Sequence, residues 1–243
     1  MVKQFLLIFL IFTLCGFSQK PIENTLPPFE SFQNGEWFQL RLHYGPFNAS
    51  YASFSLESDS LNNKAVYHAK GFGETTGIAK WFFKVEDYYE SYFDQKTGLP
   101  YKFIRDINEG GYTKNVEIDF DHGKATAIVN DIKRDTIKKF SIEKGVQDLI
   151  SCFYYLRKFY PKKGVKINDS FDINMFFDNE NYVFKLKFLG IETIRSKFGR
   201  IKCMKFRPLV QSGRVFEEQE SVTLWVSDDK NRPSGLIKLE HQK

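Results

Sequence analysis

Apolar and polar residues take turns along most of the chain, and that alternation predicts antiparallel β-structure. In segment 36–44, Phe38, Leu40, Leu42 and Tyr44 are interleaved with Gln39, Arg41 and His43. Segment 112–120 repeats the device, with Val116, Ile118 and Phe120 set between Glu117 and Asp119. Along 182–188, Tyr182, Phe184, Leu186 and Phe188 share one side and Lys185 and Lys187 the other. Val222, Leu224 and Val226 alternate with Thr223 and Ser227. Successive strand side chains point to opposite faces, so strict alternation means one packed face and one wetted face. Turn-forming clusters separate these runs at Asn62-Asn63, Lys96-Thr97-Gly98, Glu109-Gly110-Gly111, Asp121-His122-Gly123, Asp178-Asn179-Glu180-Asn181 and Phe198-Gly199. Their spacing suits a meander of hairpins, so the expected fold is mainly β. It is a large antiparallel, strongly curved sheet or barrel of about a dozen strands.

One segment has a different period. Val146, Leu149, Ile150, Phe153 and Tyr154 form a helical stripe, and the expected amphipathic helix spans about 146–159. Gly145 bounds it on one side and Pro161 on the other. Its stripe must lie against a sheet, which it plugs or flanks. A second, short helical turn is expected around Thr76–Phe82.

The beginning of the chain is unlike the rest. Lys3 precedes the apolar run Phe5–Leu14, and Gly16-Phe17-Ser18 offers small residues for cleavage. That is the layout of a signal peptide over residues 1–18, cut after Ser18, and the run is too short to span a bilayer. Residues 19–34 read as an irregular leader with Pro27-Pro28, and residues 35–243 as a single β-rich domain. The 225 residues left after cleavage (243 − 18) suffice for a sizeable core. No later segment is long and apolar enough to be a transmembrane helix.

Composition adds exclusions. The formal net charge is +5, and basic residues are scattered among acidic ones, so nucleic acid is not an expected partner. Cys152 and Cys203 read as two small buried residues in preference to a bridge. The four histidines, His43, His68, His122 and His241, lack metal-ligand spacing and read as solvent-facing strand residues. No nucleophile elbow, phosphate loop or dinucleotide fingerprint is present, so no metal, cofactor or catalytic residue is assigned. Glu86, Asp87, Glu90 and Asp94 form an acidic cluster in which strand geometry puts Glu86 and Glu90 on one face and Asp87 on the other. Arg105, Asp106 and Glu109 lead into Gly110-Gly111, where the glycines allow a neighbour or ligand close to the backbone. The loudest feature is aromatic: 26 Phe, 12 Tyr and 3 Trp. Most of these fill a β core; the functional alternative is a curved sheet holding an apolar ligand.

Five groups of residues stand out in order along the chain: Gly35-Glu36 with Leu42–Gly45, Trp81–Tyr112 (WFFKVEDYYESYFDQKTGLPYKFIRDINEGGY), Gly145–Asp148 with Ser151 and Phe153–Arg157, Cys203 with Lys205–Pro208, and Trp225 with Asp228–Arg232. Together they resemble the DUF3108 family of exported bacterial proteins without an assigned function. The resemblance implies a β-rich fold and residence in the periplasm or outer envelope of a Gram-negative bacterium. It implies no catalytic residues. Relatives usually continue through two more strands after the turn at 228–232, so the C-terminal strands here read as shortened.

The expected function is therefore non-enzymatic: a binding or carrier module for a lipid or other apolar envelope molecule. Trp81, Tyr88, Arg105, Glu109 and Tyr112 are the expected ligand-binding residues. The alternatives are a structural or interaction component with an envelope protein partner, and a glycan or peptide hydrolase using Arg105 with Glu109 or Asp87.

Overall fold

The computed structural model describes residues 32–44, 47–159, 164–196, 199–209, 222–227 and 238–241. The expected signal peptide, nearly all of the leader and the turn at 228–232 lie outside them.

Two antiparallel meanders make up the fold. The first sheet runs in chain order through β1 (Glu36–Tyr44), β2 (Phe47–Leu61), β3 (Lys64–Thr75), β4 (Val85–Asp94), β5 (Pro100–Glu109), β6 (Tyr112–Asp121), β7 (Thr126–Asp131) and β8 (Thr136–Ser141). The second has β9 (Ser170–Phe177), β10 (Glu180–Ser196), β11 (Gly199–Leu209), β12 (Val222–Ser227) and β13 (Lys238–His241), again each beside the next. The architecture is mainly β, as the alternation requires, and neither set of described strands closes into a barrel. The expected turns within the described residues are where the chain reverses. The one at 178–181 is only Asp178-Asn179, because β10 starts at Glu180. Phe198 of the expected Phe198-Gly199 turn lies outside those residues. Asn62 and Asn63 take φ of 51° and 61°, and Asp178 and Asn179 take 50° and 68°. That pair of left-handed residues matches the twist of a two-residue hairpin and is easiest for Asn, Asp and Gly.

A short helix, α1 (Gly77–Phe82), joins β3 to β4, and α2 (Leu149–Phe159) joins the two sheets. Ile150 and Tyr154 of α2 enter the main core with Leu56, Ala69, Phe93, Phe103, Ile118 and Phe120 of the first sheet. Cys152 packs the opposite way, on Ile173 and Met175 of β9, with Leu156 beside it. The helix is thus a filling between two sheets, and Phe176 reaches past it to contact Phe120 and Phe140.

Two expectations about this segment need correction. The helix begins at Leu149 and not at Val146, because Val146-Gln147 is held extended. Gln147 N–H donates to Asn174 O at 2.8 Å, and Phe176 N–H donates to Gln147 O at 2.9 Å. Asp148 then caps the helix: its Oδ1 accepts from the N–H groups of Ile150 at 2.8 Å and Ser151 at 2.7 Å. Burial on two sides also leaves the one-stripe description incomplete, since Leu149 of the stripe is exposed while Cys152 off it is buried.

Phe32, at the end of the leader, lies edge-on to Tyr67 and Tyr154 in the core. Cys152 and Cys203 are both buried and free. Burial pushes the Cys152 thiol up to about 12, with the Asp148 charge adding to it, so it carries no thiolate for nucleophilic work near neutrality. His68 is not solvent-facing as expected. It is buried between strands, stacked on Tyr92 at 3.9 Å, with Nε2 2.6 Å from Glu90 Oε2. A cross-strand carboxylate and a ring to stack on make that burial tolerable.

Candidate functional site

The face of the first sheet that packs on α2 divides into two halves. Toward the β2–β3 and β4–β5 turns it is apolar and covered by α2 and Phe176. Toward the opposite end, antiparallel register brings charged residues to the same face. Tyr89 stands opposite Arg105, Asp87 opposite Ile107, and Ile107 opposite Lys114. Tyr112 pairs with Glu109 at the rim.

Arg105 is the hub of this polar half. Its guanidinium lies over the Phe177 ring at 4.7 Å, and its Nη1 donates to Asp178 Oδ1 at 2.8 Å. Lys114 donates to the same carboxylate oxygen. Asp178 comes from the β9–β10 hairpin, so the second sheet reaches over the first here. Tyr89 also bonds to Arg105; burial pushes its hydroxyl above the ordinary tyrosine range, against the pull of the guanidinium. Arg105 Nε is buried with no partner.

Behind Arg105 sits a carboxyl pair. Asp87 is 8 % exposed and its Oδ1 accepts from Asn108 N–H at 3.2 Å. Burial, then the charge of hydrogen-bonded Glu109, raises Asp87 to about 6. Two carboxyls in contact cannot both ionise cheaply, so Asp87 keeps its proton up to about pH 6. It lacks the geometry for glycan cleavage, in which the two acids stand about 5–9 Å apart on either side of the bond.

The pair gives a prediction with a definite sign. A carboxyl raised in the folded state binds its proton more tightly there than in the unfolded chain. The stability it contributes is therefore full below about 4 and lost as pH rises through about 6. Asp148 adds to the same window, because complete burial raises it to about 6 despite its hydrogen bonds from Ser91, Ser151 and Ile150. Urea unfolding is expected to give a lower midpoint at pH 7 than at pH 5, and Asp87→Asn is expected to remove part of that difference. A wild-type midpoint that rises over this interval contradicts the assignment.

Beside these groups lies a cleft of about 240 Å³ lined by Lys114, Val116, Asp131, Arg134, Lys138 and Asn179, among others. Arg134 is tied to Asp131 at 2.8 Å. Among the described residues no group of three or more metal-ligating side chains converges.

The expected ligand-binding residues therefore separate. Arg105, Glu109 and Tyr112 share the polar half. Tyr88, the neighbour of inward-facing Tyr89, points to the opposite face of the sheet, where it packs on Phe72 at 4.6 Å. Trp81 stands on α1, 93 % exposed, with Ile78, Phe82 and Phe83 also exposed. Parity on a strand forces the first separation; α1 lies outside the sheet and forces the second. Gly110 has φ of +58°, and a Cβ there would meet the Phe83 ring at 2.3 Å. The α1 knuckle and the polar half thus adjoin at one end of the sheet. Sequence reasoning missed Asp178 and Lys114, whose only signals were a turn and an ordinary strand lysine.

The family profile "Protein of unknown function (DUF3108)" matches residues 39–242. The chain belongs to the DUF3108 family. The Gly35-Glu36 and Gly145–Arg157 stretches that carry the resemblance meet in this DUF3108 protein, through an ion pair of Arg157 with Glu36 at 2.6 Å. A search of the curated proteins finds no match. Among solved structures, the DUF3108 chain is similar to a beta-barrel-like DUF1849 protein from Brucella abortus. The TM-score is 0.48 and the identity 8 %, over 79 % of this chain and 82 % of that one. It is also similar to a DUF1089 protein from Pseudomonas aeruginosa, with a TM-score of 0.41 and 11 % identity, over 82 % of this chain and 94 % of that one.

Proposed function

We propose that this protein is a non-enzymatic binding module of the Gram-negative envelope, exported by its first 18 residues, that receives an amphipathic, lipid-like molecule. The observation that carries this reading is the division of the inner face. Its apolar half is closed by α2, while its ionic half, reached by the β9–β10 hairpin, opens into a cleft and adjoins an exposed aromatic knuckle. A cleft of about 240 Å³ is large enough for a head group and too small for an acyl chain. The head group belongs among Arg105, Lys114 and Lys138. The chain then lies against the exposed rings of Tyr112, Phe83 and Trp81, apolar surface of the kind that a soluble protein displays where it binds. This differs from a wholly enclosed apolar cargo, because the helix fills the space such a cargo would need.

The test is the protein recovered from a periplasmic extract. It is expected to begin at Gln19 and to carry a lipid-like adduct in native mass spectrometry. Thr136→Trp, which fills the cleft from its exposed wall, is expected to lose the adduct with little change in melting temperature. A ligand-free wild type, or a Thr136→Trp protein that keeps its adduct, contradicts the reading.

A further inference from the structure

We propose that Arg105 and Lys114 form a carboxylate-binding subsite that the side chain of Asp178 occupies when no ligand is bound. This rests on the binding-module reading and names the head group of its ligand. Asp178 lies at the tip of a hairpin from the other sheet, and its sequence neighbours make two further contacts with the site. Phe177 lies against the Arg105 guanidinium, and Asn179 forms part of the cleft wall. A single oxygen, Oδ1, takes hydrogen bonds from both Arg105 and Lys114. The side chains of Arg105 and Lys114 are only 13 % and 15 % exposed, whereas that of Asp178 is 47 % exposed. The cations are built into the sheet, and the anion is brought to them by a two-residue turn.

Exposure supports an exchangeable occupant. Of the carboxyl groups near Arg105, Lys114, Arg134 and Lys138, Asp87 is buried behind Arg105 with Glu109, and Asp131 is bonded to Arg134 through both its carboxylate oxygens, whereas the half-exposed Asp178 is free to turn toward water. A ligand carboxylate entering from the cleft meets Lys114 first, which lines it. It can take over the bonds to Lys114 and Arg105 while Asp178 turns out to water. The chemistry indicated is a carboxylate, since that is the group whose oxygen the two cations already share. It is found on a fatty acid and on a serine-type lipid head alike.

Removing the internal competitor must strengthen binding, whereas removing an ordinary wall residue would not. Calorimetric titration of the full chain with sodium decanoate is expected to show at least a tenfold gain in affinity for Asp178→Asn over wild type. Titration with 1-decanol is expected to show no gain. Lys114→Met is expected to weaken decanoate and leave 1-decanol unchanged, and it serves as the second variant should Asp178→Asn loosen the hairpin. Short-chain phosphatidylserine, compared with decanoate on Asp178→Asn, separates the two sources by which of them binds more tightly. Decanoate affinity that is unchanged or reduced in Asp178→Asn, with 1-decanol still bound, overturns the subsite and leaves the amphiphile reading standing. Failure of wild type and both variants to bind any of the three probes overturns both.

Discussion

Glu36→Ala is expected to lower stability by about 3–5 kcal/mol, because it takes the two-pronged carboxylate of Glu36 away from a buried guanidinium. Arg157 is 4 % exposed and sits among the rings of Phe32, Phe153 and Tyr154, each 5.1–5.4 Å from its guanidinium carbon. Its Nη1 and Nη2 donate to the two oxygens of Glu36 at 2.6 and 2.7 Å. This two-pronged contact joins the end of α2 to the start of β1, 121 residues earlier. Aromatic faces favour a cation but cannot replace a carboxylate, so the loss is large. Glu36→Gln retains one acceptor and is expected to fall about midway between wild type and Glu36→Ala. Urea denaturation of the two variants checks the ordering, and a Glu36→Ala loss below about 1 kcal/mol, the range of a surface pair, contradicts the buried placement.

Asp148→Ala is expected to lose about 3 kcal/mol. Alanine removes the helix cap, typically about 1 kcal/mol, and strands buried donors at about 1–3 kcal/mol. The donors are the Ile150 and Ser151 N–H groups and the Ser91 hydroxyl, which reaches Asp148 Oδ2 at 2.6 Å. Asp148→Asn keeps the capping oxygen and removes a carboxylate that is costly to ionise in full burial. It is expected to lose less than about 1 kcal/mol at pH 7. Its cost relative to wild type should be greater at pH 5, where wild-type Asp148 holds its proton. Equal losses for the alanine and asparagine variants would show that the cap contributes nothing.

Much of the fold was legible because alternation is a local property. Val116, Ile118 and Phe120 point inward as their spacing requires, and Asn62-Asn63 turns the chain as its residue types require. The site was less legible because its members come from strands whose register no local pattern fixes. Arg105 and Glu109 share a face by parity, but only pairing reveals that Asp87 lies against Glu109 and that Tyr88 is turned away. Asp178 was visible as a turn residue, yet it lies 73 residues from Arg105, and nothing near it in sequence points there. The cap is a different case. Asp148 followed three residues later by Ser151 is a readable helix start, obscured here because Val146 fits the helical period and drew the boundary too early.

The account turns on α2 being core and not a lid, since that is what leaves the ionic half of the sheet as the place for a ligand. Native-state hydrogen exchange of the α2 amides tests this most directly. Residues 152–158 are expected to exchange as slowly as the central strands β4 and β5, and to show the same dependence on denaturant. Fast exchange of the helix while those strands stay protected would mean that it opens on its own. In that case the apolar half of the face would be the binding cavity.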